Sequence, residues 1–134
     1  MAEHNETGRR GEDLATAFLL SKGYSILERN WRSGHKEVDI IAIDGSDIVF
    51  VEVKTRTSED LVLATDAVDD RKRHNLVLAA DAYIRMCRLN YSPRFDIITV
   101  VGQFSDPDAT LTVDHIVDAY RAPLTRARKY RSLR

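Results

Sequence analysis

Apolar residues recur at helical spacing in two stretches of the chain and crowd into strand-length runs elsewhere. Leu14, Phe18 and Leu19 mark one face of a helix over residues 8–22, and Gly23 supplies the stop expected just past a helix end. Residues 24–31 alternate as a strand. Two more strands, residues 37–43 and 48–55, flank the turn Asp44-Gly45-Ser46-Asp47. Both are apolar on both faces, through Val38, Ile40, Ala42, Ile41 and Ile43 on the first and Val49, Val51, Val53, Ile48 and Phe50 on the second. A sheet built from them needs a cover on each side. After a predicted loop over residues 57–65, Leu76, Val77, Ala80, Tyr83, Ile84 and Cys87 repeat at helical spacing, giving a second helix from about Asp66 or Asp69 to Arg88 with Cys87 in its core stripe. Ser92-Pro93 introduces a strand over 94–101. A short strand over 111–113 leads to a helical turn through Ile116 and Tyr120. The order α-β-β-β-α-β, with an optional final strand, predicts a three-layer α/β/α domain around a central mixed sheet.

Composition places this in one compact domain: 134 residues, 43% hydrophobic and 31% charged, with six Gly and three Pro. The apolar runs are too short to span a bilayer. The start, Met-Ala-Glu-His-Asn-Glu, lacks a basic stretch followed by an apolar run, so the expected location is the cytoplasm, with no membrane partner. A single cysteine excludes an internal disulfide and a cysteine-built metal site within one chain. The net charge of −1 argues at first against a nucleic-acid partner, but it hides an asymmetry. Residues 121–134 carry six basic side chains and no acid, so the tail stands at +6 and the body, residues 1–120, at −7. Such a tail suits a phosphate backbone, and equally a solvated terminus.

Four charges interrupt the apolar strands: Glu37, Asp39, Glu52 and Lys54. Charges buried in strands are costly unless paired or bound to an ion. If Gly45-Ser46 is a two-residue loop, opposed residue numbers sum to 91, which sets Asp39 across from Glu52 and Glu37 across from Lys54. A loop one residue longer would separate the faces. Opposed Cβ atoms lie roughly 5 Å apart, so two carboxylates there can share one divalent cation. With a backbone carbonyl and waters they form the hard-oxygen set that Mg²⁺ or Mn²⁺ prefers, and an adjacent lysine can orient or deprotonate a water. The alternative is a Glu37–Lys54 ion pair beside two solvated acids, and spacing alone does not choose.

The combination Gly8-Arg-Arg-Gly11-Glu12-Asp-Leu-Ala15, Glu37-Val-Asp39-Ile-Ile-Ala42, Val49-Phe-Val-Glu52-Val-Lys54-Thr-Arg56 and Arg94-Phe-Asp96 closely resembles the YraN-like family. That family is assigned to the restriction-endonuclease-like, PD-(D/E)XK nucleases, which include Holliday-junction resolvases. The likeness runs to about Tyr120. It implies a restriction-endonuclease-like fold and a metal-dependent endonuclease or resolvase acting on branched or structured DNA. By the same resemblance Asp39 and Glu52 are metal ligands, with the Val53 carbonyl as a third, and Lys54 is the motif lysine that serves the water. Val38 stands where the superfamily has proline. Glu12 matches the first-helix glutamate that resolvase-like members bring to the site; on the residues alone, it is also an acid favoured by the helix dipole. Glu37 matches the family signature, with an ion pair to Lys54 as its expected role.

Arg71, Lys72 and Arg73 sit near the start of the second helix, where positive charge opposes the dipole and a nearby anion would relieve the conflict. Asp66, Asp69 and Asp70 are the competing compensation. Lys72 matches a lysine in the family pattern. Arg56, two residues beyond Lys54, is a further phosphate contact. Binding of this kind weakens with salt and reads little sequence. A resolvase cuts two strands, for which a homodimer fits. The rival classes are a non-catalytic nucleic-acid-binding module of the same fold and a protein-interaction scaffold. His4, His35, His74 and His115 lack zinc spacing and are not proposed as ligands.

Overall fold

The computed structural model describes residues 2–57 and 70–121. Helix α1 (Ala2–Ser21) is followed by strands β1 (Ser25–Ser33), β2 (Lys36–Asp44) and β3 (Asp47–Arg56), helix α2 (Asp70–Cys87) and strands β4 (Ser92–Val101) and β5 (Thr112–Tyr120). The expected element order is the observed one. Apart from Thr57, the expected loop over 57–65, the helix start at Asp66 or Asp69 and nearly all of the basic tail lie outside the described residues. Among the described residues no helix is long and apolar enough to cross a membrane.

The five strands form one sheet in the order β1-β2-β3-β4-β5, antiparallel throughout except for the parallel pair β3–β4. A parallel pair needs a crossover, and α2 lies within the connection that supplies it. The two faces are covered by different helices. Leu76, Val77, Ala80 and Tyr83 of α2 pack with Ile41, Ile48, Phe50 and Phe95 on one side. Ala15 and Leu19 of α1 pack with Ile40, Ala42, Val49, Val51, Ile98 and Val100 on the other. The doubly apolar hairpin is thus the middle layer of three.

The β2–β3 turn has two residues. Gly45 takes φ +61 at its first position, where a type II′ turn requires the left-handed region. The pairs Asp44↔Asp47 through Ile40↔Val51 follow, with residue numbers that sum to 91.

Two expectations are corrected. The segment through Ile116 and Tyr120 is strand and not a helical turn: it pairs with β4 as far as Phe95↔Tyr120. Its β-branched run Thr112-Val113 and Ile116-Val117 suits a ladder. Cys87 is exposed and not in the core. The apolar stripe of α2 leaves the sheet after Tyr83 and half-buried Ile84, so the last turn, with exposed Met86, overhangs solvent.

Helix α1 approaches β3 closely at Gly11, where a Cβ would collide with Thr55 Cγ2. Thr55 is β-branched and stiff, so the helix must yield. Gly11→Ala is expected to cost about 1–3 kcal/mol, read as a lower midpoint in chemical denaturation. The double variant Gly11→Ala/Thr55→Ser, which deletes the clashing methyl, should recover most of that loss.

Candidate active site

The regular ladder between β2 and β3 ends at Ile40↔Val51. One residue further, where Asp39 would face Glu52, the Val53 backbone N–H donates to Asp39 Oδ2 at 2.8 Å. The cause lies in β1. Asn30 takes φ +53 in mid-strand, and no pair joins it to Asp39 between Arg29↔Ile40 and Trp31↔Val38. Both strands change face there. Val38 joins Ile41 in the α2-side core while Ile40 belongs to the α1 side. On β1, Glu28 accepts from the Tyr83 hydroxyl at 3.4 Å and Trp31 packs edge-on against the same ring at 5.1 Å. This paired irregularity frees Asp39 from the alternation and lets its carboxylate turn toward β3.

Glu52 and Lys54 follow Phe50 on the α2 side of β3. They are 4% and 5% exposed. Neither carboxylate oxygen of Glu52 has a hydrogen-bond partner, and its counter-ion is Lys72 of α2, whose ammonium contacts Oε2. Asp39, Glu52, Glu37 and Lys72 line one cleft of about 280 Å³ together with His35 and Lys36.

The electrostatics agree with a shared carboxylate site. Burial raises Asp39 from its ordinary 3.8 to about 6 against the lowering effect of the Val53 amide, and the charges of Glu12, Glu37 and Glu52 add to the rise. Burial also raises Glu12, opposed by a hydrogen bond from the Asn30 side chain and by Arg29 at 3.9 Å. Lys54 moves the other way: burial lowers it, Glu52 opposes, and Lys72, Arg56 and Arg73 push it further down. Among the described residues no three His, Cys, Asp or Glu side chains form a metal cage by themselves. Two carboxylates completed by a backbone carbonyl and waters are nonetheless a donor set that Mg²⁺ accepts, because it keeps much of its water. The buried Glu52 carboxylate, with Oε1 unpartnered and Oε2 met only by Lys72, fits such an ion.

The structure therefore brings Asp39, Glu52 and Lys72 into one cleft, with Lys54 beside Glu52 and Glu12 within electrostatic reach of Asp39. The expected Glu37–Lys54 ion pair is not formed. Glu37 instead pairs with Arg32 at 3.6 Å, its partner across the β1–β2 ladder. Arg73 places its guanidinium 5.1 Å from the Tyr120 ring centre, with Nε buried and without a hydrogen bond. Arg56 donates to the carbonyl of Thr55 at 2.9 Å, and Arg71 is exposed on α2. The competing acids Asp66 and Asp69, and the Asp70 side chain, lie outside the described residues.

Sequence reasoning missed Asn30, which bends β1 and holds Glu12. Its signal was faint: asparagine is depleted in strands yet among the few residues that tolerate the left-handed region. Arg94 and Asp96 lie away from the cleft, where Arg94 reaches Asp44 at 2.8 Å and Asp47 at 3.1 Å beside the hairpin turn.

A family model described as "Uncharacterised protein family UPF0102" matches residues 11–100. The chain belongs to the UPF0102 family. A UPF0102 protein of Bacteroides thetaiotaomicron is 45% identical over 124 residues, spanning 92% of this chain and 99% of that protein. One from Koribacter versatilis is 49% identical over 111 residues, covering 81% and 78%. Another from Porphyromonas gingivalis is 41% identical over 129 residues, covering 96% and 94%. The part of this UPF0102 chain that the model matches begins at Gly11, packed on Thr55, and takes in Glu12, Asn30, Asp39, Glu52, Lys54 and Lys72. Strand β5 lies beyond it.

Proposed function

We propose that this UPF0102 chain is a metal-dependent endonuclease of the PD-(D/E)XK type, hydrolysing phosphodiester bonds in branched or otherwise structured DNA. The observation that carries the reading is the buried Glu52 carboxylate, without a hydrogen bond to either oxygen, in one cleft with Asp39. Oε2 meets only the Lys72 ammonium and Oε1 meets nothing, and a stability role does not account for burying a carboxylate with so few partners. Asp39, Glu52 and the Val53 carbonyl would hold Mg²⁺ or Mn²⁺. When bound, the ion supplies Lewis-acid stabilisation of the phosphate and a more acidic water. Lys54, whose proton is loosened by burial, orients the attacking water and exchanges a proton with it. Glu12 is a second proton-holding carboxylate on the α1 side, positioned by Asn30 and Arg29. Lys72, Arg73 and Arg56 offset the phosphate charge, with Arg71 further out on α2. Glu37 borders the cleft at its Arg32 side and shapes the local field on Asp39. A homodimer would present two such sites to a junction.

The test is incubation with junction, flap, single-stranded and plain duplex DNA in Mn²⁺, beside Glu52→Ala. Cleavage of structured DNA is expected to fall at least about 10³-fold in the variant, in line with loss of a group that stabilises transition-state charge. Binding that weakens steeply with salt, but with no cleavage on any substrate, would replace the reading with a non-catalytic nucleic-acid module. Absence of DNA affinity at low salt would point to a protein-interaction scaffold.

A further inference from the structure

We infer that Lys72 makes cation binding and nucleic-acid binding cooperative, because its one ammonium serves Glu52 before a divalent cation arrives and a substrate phosphate afterwards. The inference rests on the proposed function and concerns the regulation of the same cleft. Glu52 is 4% exposed on its side chain, whereas the Lys72 side chain that neutralises it is 54% exposed. The carboxylate is fixed in β3, but the lysine reaches it on a flexible stem from the first turn of α2. The buried partner cannot follow the mobile one, so separating them means moving Lys72 toward solvent, on the side where a ligand enters. No hydrogen bond holds Glu52. Lys54 acts on its charge from a distance and the Lys72 ammonium meets it directly, a contact that a doubly charged ion at the same oxygens would replace.

Without the cation, Lys72 is occupied and contributes little to a phosphate. With the cation on Asp39 and Glu52, Lys72 gives up Glu52 and, beside Lys54 and Arg73, meets the phosphate backbone as a point charge. Each ligand thereby lowers the cost of binding the other, and linkage requires the two enhancements to be equal. A short plain duplex is expected to tighten Mn²⁺ binding roughly tenfold, with Mn²⁺ tightening duplex binding by the same factor.

The experiment titrates Mn²⁺ by calorimetry with and without the duplex, and the duplex by fluorescence anisotropy in Mn²⁺ or in chelator, with gels showing the DNA intact. It compares the native chain with Lys72→Met, Lys72→Gln and Glu52→Gln, each checked for folding by its melting curve. In the Lys72 variants Mn²⁺ should bind the DNA-free protein as well as or better than in the native chain. Duplex binding in chelator should stay close to native, and the coupling factor should fall well below the native one, to what the cation's own contact with a phosphate leaves. A native chain without coupling, or a Lys72 variant that retains the full native factor, overturns the inference while leaving the metal site standing. Should Glu52→Gln leave Mn²⁺ affinity unchanged, or neither duplex nor junction DNA bind at low salt, the proposed function itself fails, and the inference with it.

Discussion

Replacing Asp39 with Asn is expected to raise the melting temperature of the cation-free protein at pH 8 by roughly 10 °C, and to abolish divalent-cation binding. The first effect follows from the direction of the Asp39 shift. Burial lifts this carboxyl from 3.8 to about 6, so the folded protein binds its proton more tightly than the unfolded chain does. A group shifted upward contributes stability that is complete below the unfolded value and is lost as pH rises through the folded one. Between about pH 4 and pH 7 the native chain therefore loses on the order of 3 kcal/mol through Asp39. Asparagine keeps an oxygen for the Val53 amide and carries no charge to desolvate, so its curve lacks that loss. The variants should melt together near pH 4, diverge between about pH 4 and 6 and stay apart above that. Added Mn²⁺ should then stabilise the native chain and leave Asp39→Asn unmoved. Scanning fluorimetry from pH 4 to 8, in chelator and in Mn²⁺, reads both effects. Superimposable pH profiles would show that Asp39 is not held at a cost for a ligand.

The same residue shows where sequence reasoning reached and where it stopped. The two-residue turn at Gly45-Ser46 set the register of β2 against β3 because period-two alternation leaves no freedom once a turn is chosen, and five successive pairs follow it. That alternation also required two covers, which α1 and α2 provide. It failed at Asp39 because a left-handed residue on the neighbouring strand, Asn30, breaks the period on both strands at once. No pattern within β2 itself announces this. The expected juxtaposition of Asp39 and Glu52 survives in a different form, as a shared cleft in place of a ladder rung. The expected Glu37–Lys54 ion pair fails for a related reason: Arg32, the ladder partner of Glu37 on the other side, takes its place. The pairing of Lys72 with Glu52 depends on how α2 docks over β3, a long-range packing angle that local spacing does not encode. The exposed end of α2 at Cys87 and the length of β5 have the same origin, because both depend on where the sheet ends.

Asp96→Ala is expected to cost about 3–5 kcal/mol, against a total of roughly 5–15 kcal/mol for a domain of this kind, without touching the cleft. Asp96 is fully buried, and its two oxygens organise one end of the sheet. Oδ1 accepts from Arg94 Nε at 3.0 Å and from the Asp118 backbone N–H at 2.9 Å, while Oδ2 accepts from Arg94 Nη2 at 2.9 Å and pairs with His115 Nε2 at 2.7 Å. Arg94 in turn donates to the Tyr24 hydroxyl at 2.7 Å and holds its proton more tightly than usual, chiefly because of Asp96. His115 continues the chain to Lys22 at the end of α1, 3.0 Å away. Deleting the carboxylate strands a nearly buried guanidinium, a buried imidazole and an amide, and Asp44 and Asp47 recover only part of the first. The amide belongs to Asp118, at φ +55, so its loss also frees the bend that keeps the end of β5 on β4. Urea denaturation should show the full decrease, and hydrogen exchange should rise first in β5. Mn²⁺ affinity measured below the transition should match the native chain, because Asp39 and Glu52 answer to Asn30 and α2 and not to this network. A loss under about 1 kcal/mol would mean that the ion network is solvated in place and that β5 is held by its ladder alone.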